Sequence, residues 1–351
     1  MTGEAWFLDV VSGRKRGALA ASTRALLNLA TPAYRLAIAA RNLAFDGRWR
    51  TIQAVSAPVI SIGNLTTGGV GKTPVVAALV TELTARGVRA GIASRGYRSL
   101  DASGNDERRV LDRLCPGAPH RQNRDRVAAA RELIELDGCG AVVLDDGFQH
   151  RRLHRDIDVV LIDATNPWGY GRLLPRGLLR EPRGSLARAD LVMITRGDQV
   201  SAEALDRLRG EVGGDAIVTR FAPRGLISAA DVNERVMLES LRSRRLAAFC
   251  GIGNPEGFRR TLELAGLRID EGGLLAFPDH CPFDGEAVER IQRHARERGA
   301  EALVCTLKDL VKLPRWPDGP ACFAVDIGLE FLSGRSQWDA LVEETERRAG
   351  P

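Results

Sequence analysis

The feature that most constrains the fold is a glycine-rich stretch that reads VISIGNLTTGGVGKTPVVAALV. It begins with an apolar, β-branched run, which predicts a strand, and ends with apolar residues at spacings of three and four, which predict a helix. Between them, Gly71-Lys72-Thr73 complete the phosphate-binding pattern G-x-x-x-x-G-K-[ST], although Thr66 stands where its first glycine belongs. Since strand, loop and helix follow in the order that this motif requires, the stretch predicts a phosphate-binding loop.

The chemistry of such a loop explains its residue types. Phosphates need several inward-facing backbone N–H groups, and glycine allows the chain to curl around them. The N-terminus of the following helix adds positive charge. Lys72 is placed to reach the outer phosphates, and the hydroxyl of Thr73 is placed to bind Mg²⁺. The predicted nucleotide-binding residues are Thr66, Thr67, Gly68, Gly69, Val70, Gly71, Lys72 and Thr73.

Two other interpretations of the loop are weaker. An incidental glycine-rich turn would not need a strand before it and a helix after it. A partitioning-type ATPase would carry a lysine just before the paired glycines, where this chain has Thr67. That difference weakens the interpretation as an ATPase switch.

A second chemical signal is VVLDDG, in which Asp145 and Asp146 follow an apolar strand. A carboxylate at such a strand end is the Mg²⁺-side partner of a phosphate loop. Adjacent residues of an extended chain point to opposite sides, so we expect the two aspartates to have different roles. The alternative is an exposed turn after a strand.

The 351 residues are enough for two domains. Short apolar strands alternate with helices, which predicts an α/β fold: a P-loop NTPase-like parallel sheet with helices on both faces, plus a second, smaller α/β domain. The predicted divisions are 1–50 for N-terminal helices, 51–215 for the P-loop core, 216–235 for a turn-rich linker and 236–351 for the smaller domain.

The N-terminal segment 13–50 mixes arginine with alanine and leucine. Its longest uncharged run, Ala25 to Tyr34, is shorter than the roughly 20 apolar residues of a membrane-spanning helix. The pattern predicts a pair of basic amphipathic helices with a break near Pro32. Such helices either pack on the domain or lie on an anionic membrane surface, and the composition leaves both open.

The net charge of +5 is compatible with phosphorylated substrates, anionic lipid or nucleic acid. Aromatic residues make up only 5% of the chain and no base-stacking module is recognisable, so we expect no nucleic-acid partner. The six cysteines form no C-x-x-C pair, which leaves zinc and thioredoxin-type sites without support.

Longer motifs resemble one family, the tetraacyldisaccharide 4′-kinases, or lipid A 4′-kinases. They run from about Pro58 to Lys312, and the tail after Phe331 is outside them. Thr66 in place of the first glycine is also typical of that family. The matching motifs are ISIGNLTTGGVGKTP, SRGY, NDE, NRDRVAAA, LDDGFQHRRLHRDIDVVLID, GYGRLLPRGLLREP, AFCGIGNPEGF, AFPDHCPF and TLKDLVK.

The resemblance implies a kinase that uses ATP and Mg²⁺. Its acceptor would be the 4′-hydroxyl of a tetraacylated glucosamine disaccharide 1-phosphate, the lipid A disaccharide precursor. It also implies a peripheral protein on the cytoplasmic face of the bacterial inner membrane, with no obligatory protein partner evident. The rival functions are another P-loop small-molecule kinase and a membrane-recruited P-loop ATPase switch.

By the same resemblance, Asp106 of NDE and His280 of FPDH form the catalytic pair, contributed by the first and second domains, so that the site assembles when the domains close. Thr73 with a carboxylate from Asp145, Asp146 or Glu107 would hold the metal. From the residues themselves, Arg126, with Arg124 as an alternative, is expected on the phosphate side, because a guanidinium fork matches phosphate oxygens. Gln149 and His150 are expected either to line the acceptor side or to support the strand end. The arginines of the GYGRLLPRGLLREP motif either contact the phosphate and acyl chains of the substrate or belong to a solvated loop, and we favour the first; they are Arg172, Arg176 and Arg180.

Two departures from the family pattern affect these roles. The family's Gly-Asp-Glu-Pro is here Asn105 to Arg108, and its Thr-Glu-Lys-Asp is here Thr306-Leu307-Lys308-Asp309. The missing proline is expected to loosen the first of these loops.

Overall fold

The computed structural model describes residues 3–96, 106–231, 234–252, 255–278, 281–313, 316 and 319–350. Contacts among these residues define two compact units. The first unit takes its residues from Met1–Tyr97, Cys115–Arg220 and Phe331–Pro351, and the second takes them from Arg98–Leu114 and Phe221–Glu330.

Strands and helices alternate along most of the described chain. The strands are β1 (Val59–Asn64), β2 (Ala90–Ser94), β3 (His120–Gln122), β4 (Ala141–Asp145), β5 (Ile157–Asp163), β6 (Leu191–Thr195), β7 (Ile217–Ser228), β8 (Arg235–Val236), β9 (Leu246–Cys250), β10 (Ile269–Ala276), β11 (Ala302–Thr306) and β12 (Ala321–Ser333). The α-helices are α1 (Gly3–Ser12), α2 (Ala18–Asp46), α3 (Lys72–Ala85), α4 (Asp106–Leu114), α5 (Arg126–Glu135), α6 (Ala202–Val212), α7 (Pro255–Leu264), α8 (Gly285–Glu297), α9 (Leu307–Leu310) and α10 (Arg335–Ala349).

The first unit contains a parallel sheet in the order β7-β6-β5-β1-β4-β2-β3. β1 is buried along its whole length, as expected for a parallel strand that is covered on both faces. The chain winds from β1 towards β2 on one side and later adds β5 on the other. Ligands of open α/β sheets bind at the carboxyl ends of the strands where the winding reverses, which here is beside β1.

The second unit has its own parallel strands in the order β10-β9-β11-β12. Its core includes Phe249 and Phe283, whose rings meet edge to face at 5.5 Å between centroids. Val110 of α4 belongs to the same apolar cluster, and α4 packs against α9. The α/β fold predicted from the alternation of strands and helices is therefore confirmed.

The predicted helix break near Pro32 is wrong. α2 runs without interruption over 29 residues with Pro32 inside it. Alanine and leucine on both sides of the proline have high helix propensity, and they offset the loss of one backbone hydrogen bond. The break lies earlier, between α1 and α2, where Gly13 and Gly17 adopt positive φ values of 82° and 110°.

The segment 216–235, predicted as a turn-rich linker, includes the boundary between the two units at Arg220 and Phe221 but does not consist mainly of turns. It contains the twelve-residue strand β7, which is buried at both ends and more exposed in its middle. The buried ends carry Ile217-Val218-Thr219 and Leu226-Ile227-Ser228. The middle carries Pro223 and two arginines, and this polar, proline-containing segment produced the turn-like pattern in the sequence.

Candidate active site

The loop between β1 and α3 has the backbone that its glycines predict. Gly68 and Gly71 adopt φ values of 118° and 89°, which side chains with a Cβ rarely adopt. Thr66, in contrast, forms an isolated antiparallel bridge with Leu179, and the N–H of Thr67 donates to the carbonyl of Leu178 at 2.7 Å. The first position of this loop is extended and paired, so it does not require glycine.

Lys72 meets two oxygen groups at the start of α3. Its Nζ donates to Oδ1 of Asn64 at 3.2 Å and lies 3.3 Å from Oδ1 of Asp146. Arg180 reaches the same carboxylate, with Nη1 at 2.9 and 2.7 Å from its two oxygens. Asp146 is therefore the shared counterion of both cations, directly beside the phosphate loop.

The charge of Asp146 is maintained by these partners. Burial raises its pKa, but Lys72 and Arg180 together outweigh burial and hold the pKa below its ordinary value. The residue also has a positive φ of 58° directly after β4, which turns the chain at this point. Asp146 thus stays ionised at neutral pH and keeps Lys72 and Arg180 at the loop.

Asp145 occupies a different position from Asp146. It is the last residue of β4, it is buried, and its register partner on β1 is Ile62. Thr73 lies in the first turn of α3. Hydroxyl and carboxylate oxygens are the donors that Mg²⁺ prefers, often together with phosphate oxygens of the substrate, so these residues fit a Mg²⁺–nucleotide.

Arg126 begins α5 and is buried. Its Nη1 donates to the carbonyl of Asn123 at 2.7 Å, whereas its Nε has no hydrogen-bond partner within the described residues. Burial lowers its pKa, and the nearby charges of Asp145 and Asp146 partly restore it. A buried guanidinium close to both aspartates is suited to a phosphate or another anion.

Gln149 and His150 lie just after the aspartates. The Nε2 of Gln149 donates to the carbonyl of Asn64 at 3.0 Å, and its Oε1 accepts from Arg180 at 3.4 Å. Gln149 therefore stabilises the start of the phosphate loop through these hydrogen bonds. Burial, followed by the charge of Arg126, lowers the pKa of His150 to about 4, so this histidine is neutral at physiological pH.

The low pKa of His150 predicts a pH dependence of stability. In the unfolded chain histidine titrates near 6.5, so between pH 6.5 and 4 the unfolded state binds more protons than the folded state. The free energy of unfolding should therefore fall as the pH is lowered through this window, by at most about 1.4 kcal/mol per pH unit from this residue. In urea titrations at several pH values, the free energy of unfolding of His150→Gln should depend less steeply on pH than that of the wild type. His154→Gln, at an exposed histidine, is the control.

An unchanged slope in His150→Gln, with the native fold retained, would mean that His150 does not carry this pH dependence.

Sequence reasoning missed three residues that hold the loop. Asn64 ends β1 and accepts from Lys72. Thr195 at the end of β6 donates through Oγ1 to the carbonyl of Val70 at 2.9 Å, and Arg196 donates to that of Gly69 at 2.9 Å. A polar residue at the end of a buried strand was the available signal for Asn64 and Thr195.

The arginines of the GYGRLLPRGLLREP motif do not share one role. Arg180 pairs with Asp146, whereas Nη1 of Arg176 donates to the carbonyl of Val11 in α1 at 2.9 Å. The motif therefore contacts both the phosphate loop and the N-terminal helices.

The predicted catalytic pair is only partly described. Asp106 and Glu107 are the first residues of α4, half-buried and exposed respectively. α4 belongs to the second unit and not to the first, which corrects the expected origin of Asp106. Asn105 and His280 lie outside the described residues. The roles of Asp106, Glu107 and His280 therefore stay predictions.

Comparison with known proteins identifies the family. A family model described as LpxK, tetraacyldisaccharide-1-P 4′-kinase, matches residues 23–346. The chain belongs to this family. The match to the LpxK family extends beyond the motifs between Pro58 and Lys312 and includes most of the tail after Phe331.

Individual relatives agree with this assignment. A tetraacyldisaccharide 4′-kinase of Anaeromyxobacter sp. (strain K) is 41% identical over 327 residues, which cover 87% of this chain and 86% of the relative. The corresponding protein of Syntrophus aciditrophicus (strain SB) is 38% identical, with coverage of 85% and 87%.

A solved structure is also similar to this chain. It is that of LpxK from Aquifex aeolicus in complex with ATP, which matches with a TM-score of 0.74 and 26% identity and covers 92% of this chain and 99% of that chain. The predicted family and P-loop kinase fold are confirmed.

Proposed function

We propose that this protein transfers the γ-phosphate of ATP to the 4′-hydroxyl of a tetraacylated glucosamine disaccharide 1-phosphate, a step of lipid A biosynthesis. The observation that carries the proposal is the convergence of Lys72 and Arg180 on Asp146 beside a glycine-rich loop, in a member of the LpxK family. The family match does not favour the ATPase-switch alternative.

The residues of the loop suit this reaction because phosphoryl transfer depends on positioning and charge neutralisation. The amino group of Lys72 would bind the β- and γ-phosphates together with backbone N–H groups of the loop. The N–H groups of Thr67 and Val70 are not among them, because they donate to the carbonyls of Leu178 and Gly68. Thr73 with Asp145 or Asp146 would hold Mg²⁺, with Glu107 as the alternative. The metal neutralises charge on the phosphates when it is bound. Arg126 supplies a further buried cation close to the aspartates.

The acceptor hydroxyl needs a base, because a sugar alcohol is a poor nucleophile. We assign this role to His280 paired with Asp106, since a nearby carboxylate fixes the tautomer of an imidazole and increases its basicity. Gln149 and His150 would lie on the acceptor side of the aspartates. His150, which is neutral, can donate or accept a hydrogen bond there but is not suited to act as a charged group.

The function is tested by incubating the protein with Mg-ATP and the lipid A disaccharide precursor in mixed micelles, with the product identified by mass. We expect a lipid product heavier by one phosphate group and ATP consumption that depends on the acceptor. ATP hydrolysis without acceptor and without a lipid product would instead support the ATPase switch. Phosphorylation of a different small molecule alone would support another P-loop kinase.

The N-terminal helices suit a membrane surface. Within the described residues, no helix combines the length and apolar character needed to span a bilayer. α2 nevertheless exposes a row of leucines at separations of seven, three, seven and seven residues, which places them on one face. These are Leu19, Leu26, Leu29, Leu36 and Leu43. We infer that this leucine face binds peripherally to the anionic cytoplasmic surface of the inner membrane.

Replacing two residues of the leucine face should weaken this binding. Leu29 and Leu36 are 78% and 71% exposed, so the variant Leu29→Ser/Leu36→Ser should keep its fold. Each leucine that enters the interface contributes roughly 1.5–3 kcal/mol, so we expect at least a tenfold loss of binding to phosphatidylglycerol-containing vesicles in sedimentation assays.

The matched control is Leu136→Ser, because Leu136 is 70% exposed just after α5. If the control loses as much vesicle binding as the double variant, or the double variant loses none, the leucine face is not the membrane-binding surface.

A further inference from the structure

We propose that α2 acts on the nucleotide site through the segment Leu178–Glu181, which we call the strap. The strap is hydrogen-bonded to the phosphate loop on one side and to α2 on the other. Arg41 and Glu181 are then positioning residues for Arg180, and occupancy of the nucleotide site and the state of α2 influence each other. The part of this inference that concerns lipid rests on the proposed membrane binding of α2, whereas the part that concerns nucleotide does not.

The strap is bonded to the phosphate loop through its backbone. The carbonyl of Leu178 accepts from the N–H of Thr67 at 2.7 Å, and the N–H of Arg180 donates to the carbonyl of Leu65 at 2.7 Å. The guanidinium of Arg180 then reaches Asp146. A shift of the strap would therefore change the backbone conformation of the loop and the position of Asp146, the counterion of Lys72.

The strap is bonded to α2 through three side chains of that helix. The hydroxyl of Tyr34 donates to the carbonyl of Arg180 at 3.0 Å. Nη2 of Arg41 donates to Oε1 of Glu181 at 2.8 Å, and Nδ2 of Asn42 donates to Oε2 at 3.0 Å. These three residues contact the strap, whereas the leucine face is exposed, so the helix can bind lipid and the strap at once.

Glu181 makes the position of the strap depend on the position of α2. Its side chain is 0% exposed, and Arg188 is its third polar partner, at 2.9 Å. Burial raises the pKa of Glu181, but Arg188, Asn42 and Arg41 outweigh burial and keep the pKa below its ordinary value. Losing one partner leaves a buried carboxylate with uncompensated charge, which is strongly unfavourable. Glu181 should therefore move when α2 moves.

The first test measures nucleotide affinity in solution without lipid. Binding of Mg-AMP-PNP, measured by calorimetry, should be roughly 2- to 30-fold weaker in Arg41→Met than in the wild type, the range found for mutations in residues that connect two coupled sites. Arg35→Met is the matched control, because it removes the same charge from an exposed position of α2. Arg41→Lys, which restores a cation next to Glu181, should recover most of the affinity. A loss of stability alone would not be reversed in this selective way.

Arg41→Met could fail to fold, so Tyr34→Phe provides a second variant that removes only the hydroxyl bonded to the carbonyl of Arg180. It too should bind Mg-AMP-PNP more weakly, with an unchanged melting temperature. If folded Arg41→Met and Tyr34→Phe both bind Mg-AMP-PNP as the wild type does, the inference is overturned.

The second test uses the reciprocity of coupled binding. The affinity of the wild type for phosphatidylglycerol-containing vesicles should change when Mg-AMP-PNP is present, and Arg41→Met should abolish that change. Equal vesicle affinity of the wild type with and without nucleotide would contradict the coupling to lipid. If the wild type does not bind vesicles at all, the membrane proposal fails and the nucleotide affinities of the first test alone decide the inference.

Discussion

Replacing Lys72 with methionine is expected to lower the rate of phosphate transfer by about 100- to 1,000-fold, the effect of removing one preorganised charge-stabilising group from an active site. Methionine retains most of the apolar stem and loses the amino group that lies 3.3 Å from Asp146 and 3.2 Å from Asn64. Because Arg180 still neutralises the half-buried carboxylate of Asp146, the variant should fold normally.

The measurement is the initial rate of lipid phosphorylation at saturating acceptor, together with the affinity for Mg-AMP-PNP. Lys15→Met is the control, since Lys15 is exposed between α1 and α2 and the chemical change is the same. Lys72→Met with a rate within a few-fold of the wild type would show that the loop does not bind the phosphate that is transferred.

The phosphate loop could be predicted from the sequence because its parts are contiguous. Eight successive residues carry the glycines, the lysine and the hydroxyl, and the flanking strand and helix give their own periodic signals. The substitution at Thr66 was also tolerable on physical grounds, since the structure places this residue in extended backbone paired with Leu179.

The strap could not be predicted in this way. Leu178 and Thr67 are 111 residues apart in the chain, and a basic, leucine-rich motif does not indicate its partner. The sequence suggested that Arg180 faces the lipid substrate, whereas the structure pairs it with Asp146. The partner of a charged residue is decided by tertiary packing, and a single sequence does not show which residues pack together.

The sequence did not indicate that β7 and α2 are continuous, for a related reason. Local propensity at Pro32 and Pro223 argued against regular structure, yet both prolines lie within regular elements. In β7, burial of the residues at both strand ends stabilises the strand and overrides the unfavourable middle. In α2, the long run of helix-forming residues does the same.

The catalytic pair gives expected effects at least as large as that of Lys72. Asp106→Asn and His280→Gln should each reduce kcat by roughly a hundredfold to ten-thousandfold, the usual contribution of a positioned base. Nucleotide affinity should be nearly unchanged, because neither residue belongs to the phosphate loop. If the two side chains act as one base, the double variant should be no slower than the slower single variant, since the effects of groups that work as a unit are not additive.

Asp112→Asn is the matched control for Asp106→Asn, because Asp112 lies on the same helix and pairs with Arg108 at 3.4 Å. The control separates loss of a base from loss of a carboxylate that stabilises α4. Multiplicative losses in the double variant would indicate two independent roles, for instance Asp106 as a metal ligand and His280 as the base. Near-normal activity in either single variant would remove that residue from the mechanism and leave loop-bound phosphate, metal and cations as the main source of catalysis.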